Sequence, residues 1–220
     1  METSKRLTKT KLIGYLQCSK RLWLETYRKD LIRWSPESQA LLALGRSLGE
    51  AVRALYPSGI LIGDVFNPTK ALAETRELLG QEAPVILFEP AFRHAGVLVR
   101  ADVFFKEASG CRFIEVKSAR RPRPEHIQDL SVQSWVIEGA GYPLESAALA
   151  TITPAFEADE APLNGRLQFY ELMDKAKALY PDIERWVSQA RDILGRDMPE
   201  IEPGEQCVRP YACPFREFCG

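Results

Sequence analysis

Asp102, Glu115 and Lys117 are the residues of this 220-residue chain whose types and spacing most directly suggest chemistry. They stand in two apolar runs, Val99-Arg100-Ala101-Asp102-Val103 and Ile114-Glu115-Val116-Lys117-Ser118. Side chains alternate along a strand, so Glu115 and Lys117 are expected on one face while Ile114 and Val116 face the core. A hairpin register would bring Asp102 beside Glu115. Two hard oxygen ligands with room for water suit Mg²⁺ or Mn²⁺, and the backbone carbonyl of Val116 can complete the ligand set. An ammonium beside such an ion can orient a water or stabilise charge on a phosphoryl oxygen. The plainer alternative is a Glu-x-Lys pair on a solvated strand face, which the apolar character of both runs disfavours.

The second set is the cysteines. Cys207, Cys213 and Cys219 form C-x₅-C-x₅-C in a tail bent by Gly204, Pro210 and Pro214, and Cys18 stands near the other end of the chain. Four thiolates can complete either a zinc site or an iron–sulfur cluster. Structural zinc favours C-x₂₋₄-C pairs, which this spacing does not offer; zinc stays open as the alternative. Cys111 alternates with Phe113 at a strand start and reads as a small buried hydrophobe.

These residues need elements to position them. Thr8 reads as the N-cap of a helix running through Cys18 to the Arg21–Leu24 stretch. A second helix spans about 37–56, with Leu41, Leu44, Leu48, Val52 and Leu55 on one stripe, and Pro57 and Gly59 stop it. A short helix covers 70–79. The period then changes: 85–88, 97–105 and 112–116 read as an antiparallel meander. A helix over 124–139, a strand over 147–153, a polar loop, a short strand near 167–170 and a long helix over 174–194 follow. The expected class is α/β (α+β mixed), a central mixed β-sheet flanked by helices, in a single domain over 1–220. Segments 1–35 and 196–220 together would form a subdomain around the cysteines, because the Pro-, Gly- and Cys-rich tail needs a crosslink or metal to order it.

At this point the sequence resembles a family. Arg-Ala-Asp102, Ile-Glu115-Val-Lys117-Ser and His126-Ile-Gln-Asp129-Leu-Ser-Val-Gln133 are similar to the PD-(D/E)XK nuclease core, RecB-like branch, with its restriction-endonuclease-like fold. The resemblance implies that Asp102 and Glu115 bind the divalent ion, that Lys117 assists the attacking water, and that Gln133 contacts DNA or the site. The family's Gln-x-x-x-Tyr reads Gln133-x-x-x-Ile137 here, with Trp135 the nearest aromatic. Its Gly-x-x-x-His reads Gly45-x-x-x-Gly49, so the metal-binding histidine is absent; Glu50, next along, is either a substitute ligand or an exposed helical glutamate. One cysteine upstream and three near the C-terminus resemble the iron–sulfur RecB-like nucleases, among them AddB-type exonucleases and the CRISPR-adaptation nuclease. Those run C-x₂-C-x₅-C, which only Cys213 to Cys219 matches. The resemblance implies a [4Fe-4S] cluster on Cys18, Cys207, Cys213 and Cys219. It also implies a DNA substrate with single-stranded regions or free ends, in repair, recombination or CRISPR adaptation, beside a helicase or CRISPR integrase complex. A catalytically inactive nucleic-acid-binding or partner-docking module of the same fold is the alternative, and a redox sensor using the cluster is a third.

Composition bounds these readings. The chain is 45% hydrophobic and 27% charged, which excludes collagenous, low-complexity and disordered classes. Its net charge of −1 argues against bulk electrostatic wrapping of DNA. Locally the balance differs: residues 1–33 hold nine Lys/Arg against Glu2, Glu25 and Asp30, while acidic residues gather at Glu157, Asp159 and Glu160. Lys20, Arg21, Arg120, Arg121 and Arg123 are the basic candidates for phosphate contact, since a groove beside the metal suffices. Arg120–Arg123 read equally as a solvated loop. Trp23, Trp34 and Trp135 are candidate stacking surfaces, with Trp135 next to the proposed site; burial in the core is the alternative for each. His94 and His126 lack a partner at ligand spacing, and no G-x-x-x-x-G-K-[ST] is present, so a helicase motor would come from another chain. No apolar run approaches a membrane span. The five-residue patch Leu12–Leu16 is too short for a signal-peptide core, so a cytoplasmic location is expected.

Overall fold

The computed structural model describes residues 6–64, 66–153 and 166–220. In chain order the elements are β1 (Leu7–Thr8), α1 (Lys9–Gln17), α2 (Ser19–Tyr27), α3 (Pro36–Ala54), β2 (Ile60–Leu61), α4 (Pro68–Leu79) and β3 (Val85–Phe88). Then come β4 (Ala91–His94), β5 (Val97–Arg100), β6 (Val103–Lys106), β7 (Cys111–Lys117), α5 (Pro124–Gly139), β8 (Leu144–Ile152) and β9 (Leu167–Glu171). The chain closes with α6 (Met173–Ala178), α7 (Tyr180–Leu194) and α8 (Arg216–Cys219). The acidic group Glu157, Asp159 and Glu160, the polar loop that holds it, and Lys5 and Glu2 lie outside the described residues.

The class is mixed α/β, with mixed sheets flanked by helices. There are two sheets where one was expected: a six-stranded sheet ordered β2-β3-β6-β7-β8-β9 and a three-stranded sheet ordered β1-β5-β4. The split explains why the run 97–105 is not one strand. β3–β4 and β5–β6 form a two-stranded ribbon that turns at Ala95 and Gly96, both at positive φ, and kinks midway. At the kink Glu89 stands at φ 56 and Pro90 has no N–H to give, so the ladder is carried over by Glu89 N–H to Asp102 O (3.2 Å) and Ala101 N–H to Pro90 O (3.1 Å). Asp102 therefore sits where the ribbon leaves one sheet for the other.

Helix α5 fills the space between the sheets. It packs on β4 and β5 on one side and on β7 and β8 on the other. Ten of its residues are buried, on all sides, which is why its sequence has little amphipathic period. Gly139 permits the close approach: a Cβ there would fall 2.2 Å from the His94 ring. The six-stranded sheet is covered on its other face by α3, where Leu48 and Val52 pack with Val103, Phe105 and Ile114. Both faces of β7 are thus covered at its centre, from Phe113 to Glu115. Glu115 is not on a solvated face; it shares with Phe113 the side that α5 covers.

Three expected helices change shape. The first breaks at Cys18, whose extended backbone (φ −165) caps α1 and starts α2. The last breaks at Leu179 because Pro181 opens α7. The stripe of α3 is also shorter than its period suggests: Leu48 and Val52 reach the core, while Leu41 is 55% exposed. No helix among the described residues is long and apolar enough to cross a membrane.

Candidate active site and cysteine recess

The register of the central strands builds the site. β6 pairs with β7 from Val103 opposite Ile114, so continuing it would place Ala101 opposite Val116. The kink removes that partner, and the Asp102 carboxylate takes its place, accepting the Val116 N–H at 2.6 Å. Val116 thus demonstrably gives the site its N–H. Lys117, at the end of β7, donates to Glu115 Oε1 (2.7 Å) and to Asp129 on α5. Gln133, one helical turn further along α5, donates from Nε2 to Glu115 Oε2 at 2.7 Å.

Two residues outside the expected set complete the cluster. Lys9, first residue of α1, places Nζ 3.0 Å from Glu115 Oε1 and 3.3 Å from Asp129 Oδ1. Asp129 therefore holds both ammonium groups. Asp129 lies in the same motif as Gln133, four residues earlier and so on the same face of α5, a signal the sequence does carry. Lys9 has no such signal: its proximity depends on β1 pairing with β5, which no local pattern announces.

The charges are unevenly shared. Burial acts to raise Glu115, but Lys117, Lys9 and the Gln133 hydrogen bond outweigh it and hold the carboxyl well below the usual range. Burial likewise acts to lower Lys117, and Asp129 and Glu115 overcome it, so the ammonium is firmly kept. Asp102 is the exception. Burial, and then the charge of Glu115, push its carboxyl well above the ordinary value. Among the described residues no cation lies within ion-pairing distance of Asp102. Three carboxylates face two ammonium groups, and the fully buried Gln133 Oε1 has no hydrogen-bond partner. This is an arrangement short of one positive charge and one donor, and a hydrated divalent cation beside Asp102 and Glu115 would provide both.

The remaining candidates fall elsewhere. Glu50 is exposed on α3, about 200° around the helix from core-facing Leu48. The further carboxylate whose charge is felt at this site is Glu89, at the kink, raised by burial and by Glu115 and steadied by Arg100 at 3.5 Å. Trp135 is a core residue, 7% exposed, meeting His94 edge to face at 4.7 Å, because it lies on the side of α5 that packs on β4. It offers no stacking surface to a ligand. Gln133 is fully buried and touches the site through Glu115. Ile137, where the family has tyrosine, is likewise buried in the core. Arg120, Arg121 and Arg123 are exposed on the loop after β7.

Cys18, Cys207, Cys213 and Cys219 line one recess, unpaired, together with Lys20, Arg21 and Arg216. Lys20 belongs to this recess, donating to Ile201 O at 3.4 Å, and Arg21 is held by Glu25 at 2.8 Å and by Gln17. Burial pushes the Cys213 and Cys219 thiols up, and Cys207 and Cys18 add to the rise in each. The chain ends are tied around the recess: Gln17 Nε2 donates to Gln206 O (2.6 Å) and Tyr211 O (2.8 Å), and Arg33 N–H to Pro214 O (2.8 Å). Among the described residues, no three His, Cys, Asp or Glu side chains are gathered closely enough to hold a metal ion by themselves. Cys111 is buried in the core, apart from the recess.

The fold and site define a mixed α/β protein with a buried carboxylate–ammonium centre at a strand end. No protein-family model matches the chain, and no curated protein does. A solved structure described as "Crystal structure of SSO0001" superposes with a TM-score of 0.45 at 18% sequence identity, covering 97% of this chain and 84% of that one.

Proposed function

We propose that this protein is a divalent-metal-dependent nuclease of the PD-(D/E)XK, RecB-like type, hydrolysing phosphodiester bonds in DNA that has single-stranded regions or free ends. One observation carries the reading: Asp102, Glu115, Lys117 and Gln133 converge on one buried point, where three carboxyl groups meet two ammonium groups. Asp102 and Glu115, with the Val116 carbonyl, would hold Mg²⁺ or Mn²⁺, which when bound supplies positive charge to the attacking water and to the phosphoryl oxygens. The protein's own groups do the rest. The Val116 N–H fixes the Asp102 carboxylate, and Gln133 fixes the rotation of Glu115. Lys117, held by Glu115 and Asp129, would serve as a hydrogen-bond donor and positive charge toward water or phosphate oxygen. Asp129 and Lys9 anchor this arrangement from α5 and α1.

The chemistry of the recess lining suits a thiolate-ligated group, although the thiols would have to draw closer together to share one. Four unpaired cysteines from both ends of the chain line it beside Lys20, Arg21 and Arg216, whose charge would offset that of a [4Fe-4S] cluster. Its role would be structural, joining the tail to α1 and α2.

The test uses anaerobically purified protein, single-stranded and duplex DNA, and added Mg²⁺ or Mn²⁺. Glu115→Gln and Lys117→Met are expected to lower cleavage at least about 100-fold with the fold intact by circular dichroism. Full cleavage by either variant sinks the mechanism. DNA binding by the parent protein with no cleavage under either ion would favour the docking-module reading.

A further inference from the structure

Beside Lys117 opens a cleft of about 630 Å³. One wall is the start of α3, the other the loop between Cys207 and Cys213, and the inner end carries Lys117, His126 and Arg123. Of the ten large apolar side chains exposed among the described residues, five line this one cleft: Trp34 and Tyr211, Leu41 and Leu42, and Val208. This is where the outer half of the α3 stripe goes. Leu41 and Leu42 lie in the second turn of α3 and Trp34 just before its N-cap Ser35, and all three line the cleft instead of packing on the sheet.

The backbone at both aromatic residues is held in place. The backbone of Trp34 accepts from Gln39 (3.1 Å), and its neighbour Arg33 is bonded to Pro214. The Tyr211 loop is closed by Cys213 N–H to Cys207 O (2.9 Å) and pinned from α1 by Gln17 at both Gln206 and Tyr211. The backbone that carries them is therefore already ordered when a ligand arrives. The lining joins apolar and aromatic side chains with Lys117, Arg123, His126 and Arg21, and Arg120 and Arg121 share a loop with Arg123; Glu37 is the one acid of the lining. Tyr211 and Lys117 line the same cleft, so it reaches the candidate site.

We infer that this cleft binds a single-stranded nucleic acid by stacking its bases on Trp34 and Tyr211 while the backbone phosphates run toward Arg123 and Lys117. Exposed aromatic planes with a basic floor match unpaired bases on a phosphate chain. A duplex hides its base faces in the stack and could not use them. An apolar peptide would fit the apolar wall but make no use of Lys117 or Arg123, the latter paired at the protein surface with Glu125 at 3.7 Å. The inference rests on the nuclease reading above, in that it takes Lys117 as the end of the path, but its test reads binding alone.

The test is fluorescence anisotropy of a short labelled oligo(dT), with no divalent ion added, on the intact protein. Trp34→Ala and Tyr211→Ala are each expected to weaken binding about tenfold, within the range for loss of one base–aromatic stack. Trp34→Phe should keep most of the affinity and Trp34→Leu should lose it, because the plane and not the apolar area is what matters. The same oligonucleotide annealed to its complement should bind parent and variants alike. If the parent binds but both alanine variants stay within twofold of it, or Trp34→Leu binds as well as Trp34→Phe, the stacking assignment is overturned. A parent protein with no affinity for the single strand overturns it as well. A parent that binds in this way but cleaves no DNA with Mg²⁺ or Mn²⁺ sinks the nuclease reading and leaves the stacking site standing.

Discussion

Lys9→Met is the most informative single change, because it removes one charge from the centre and keeps the aliphatic stem. In the parent, Lys9 Nζ lies 3.0 Å from Glu115 and 3.3 Å from Asp129. At an effective dielectric of about 20, each attraction is about 5 kcal/mol before desolvation is subtracted. Desolvation offsets much of this. The measurable quantity is the penalty for leaving its partners uncompensated, which for a buried pair is about 3–5 kcal/mol. Glu115 is 2% exposed but the Lys9 side chain is 21% exposed, so the lower end, about 3 kcal/mol, is expected. For a chain of this size that corresponds to a fall of about 6–12 °C in the unfolding midpoint. The same change leaves Asp102, Glu115 and Asp129 facing Lys117 alone. Mn²⁺ should therefore bind the variant more tightly, by about tenfold (~1.4 kcal/mol), and should restore more stability to it than to the parent. Thermal unfolding by circular dichroism over a Mn²⁺ titration reads both numbers. A midpoint within 2 °C of the parent, roughly the effect of less than 1 kcal/mol, would refute the charge argument. So would equal stabilisation of both proteins by the ion.

Two further expectations concern other parts of the molecule. Cys213→Ser should abolish iron and sulfide in anaerobically purified protein and lower its unfolding temperature; a colourless parent carrying stoichiometric zinc would replace the iron–sulfur assignment with the zinc alternative. Lys11 gives a pH signature: burial, and then Lys29, lower its pKa from 10.5 to about 8. Between those values the unfolded chain binds the proton that the folded chain has lost, so this group costs stability at neutral pH and the cost fades as pH rises from about 8 toward 10.5. Lys11→Met should accordingly stabilise at pH 7 and lose that advantage by pH 10, as read by denaturant unfolding; an advantage independent of pH would contradict the assignment.

The sequence by itself determined the mixed α/β class, the strand carrying Glu115 and Lys117, the helix carrying Gln133, and the grouping of four cysteines at the two chain ends. These are local matters: alternation with period two, a capped apolar run, and residue types whose chemistry is set by composition. It also held Asp129 in plain view, one turn from Gln133, but gave no reason to prefer it over any other polar residue of a helix. What only the tertiary structure decided is which groups share charge. Lys9 reaches Glu115 because β1 pairs with β5 across ninety residues, and the kink at Glu89–Pro90 frees the Val116 N–H for Asp102. The same physics moved residues out of the expected set. Trp135 went to the core because α5 is enclosed on all sides, and Glu50 went to solvent because Leu48 and Val52 claimed the sheet. Leu41, patterned like core, was left lining a cleft with Trp34, because Leu48 and Val52 further along α3 are the residues that reach the sheet. Alternation and helical period say which side chains share a face. Only long-range pairing says what that face meets, and burial then sets the charge each group can carry.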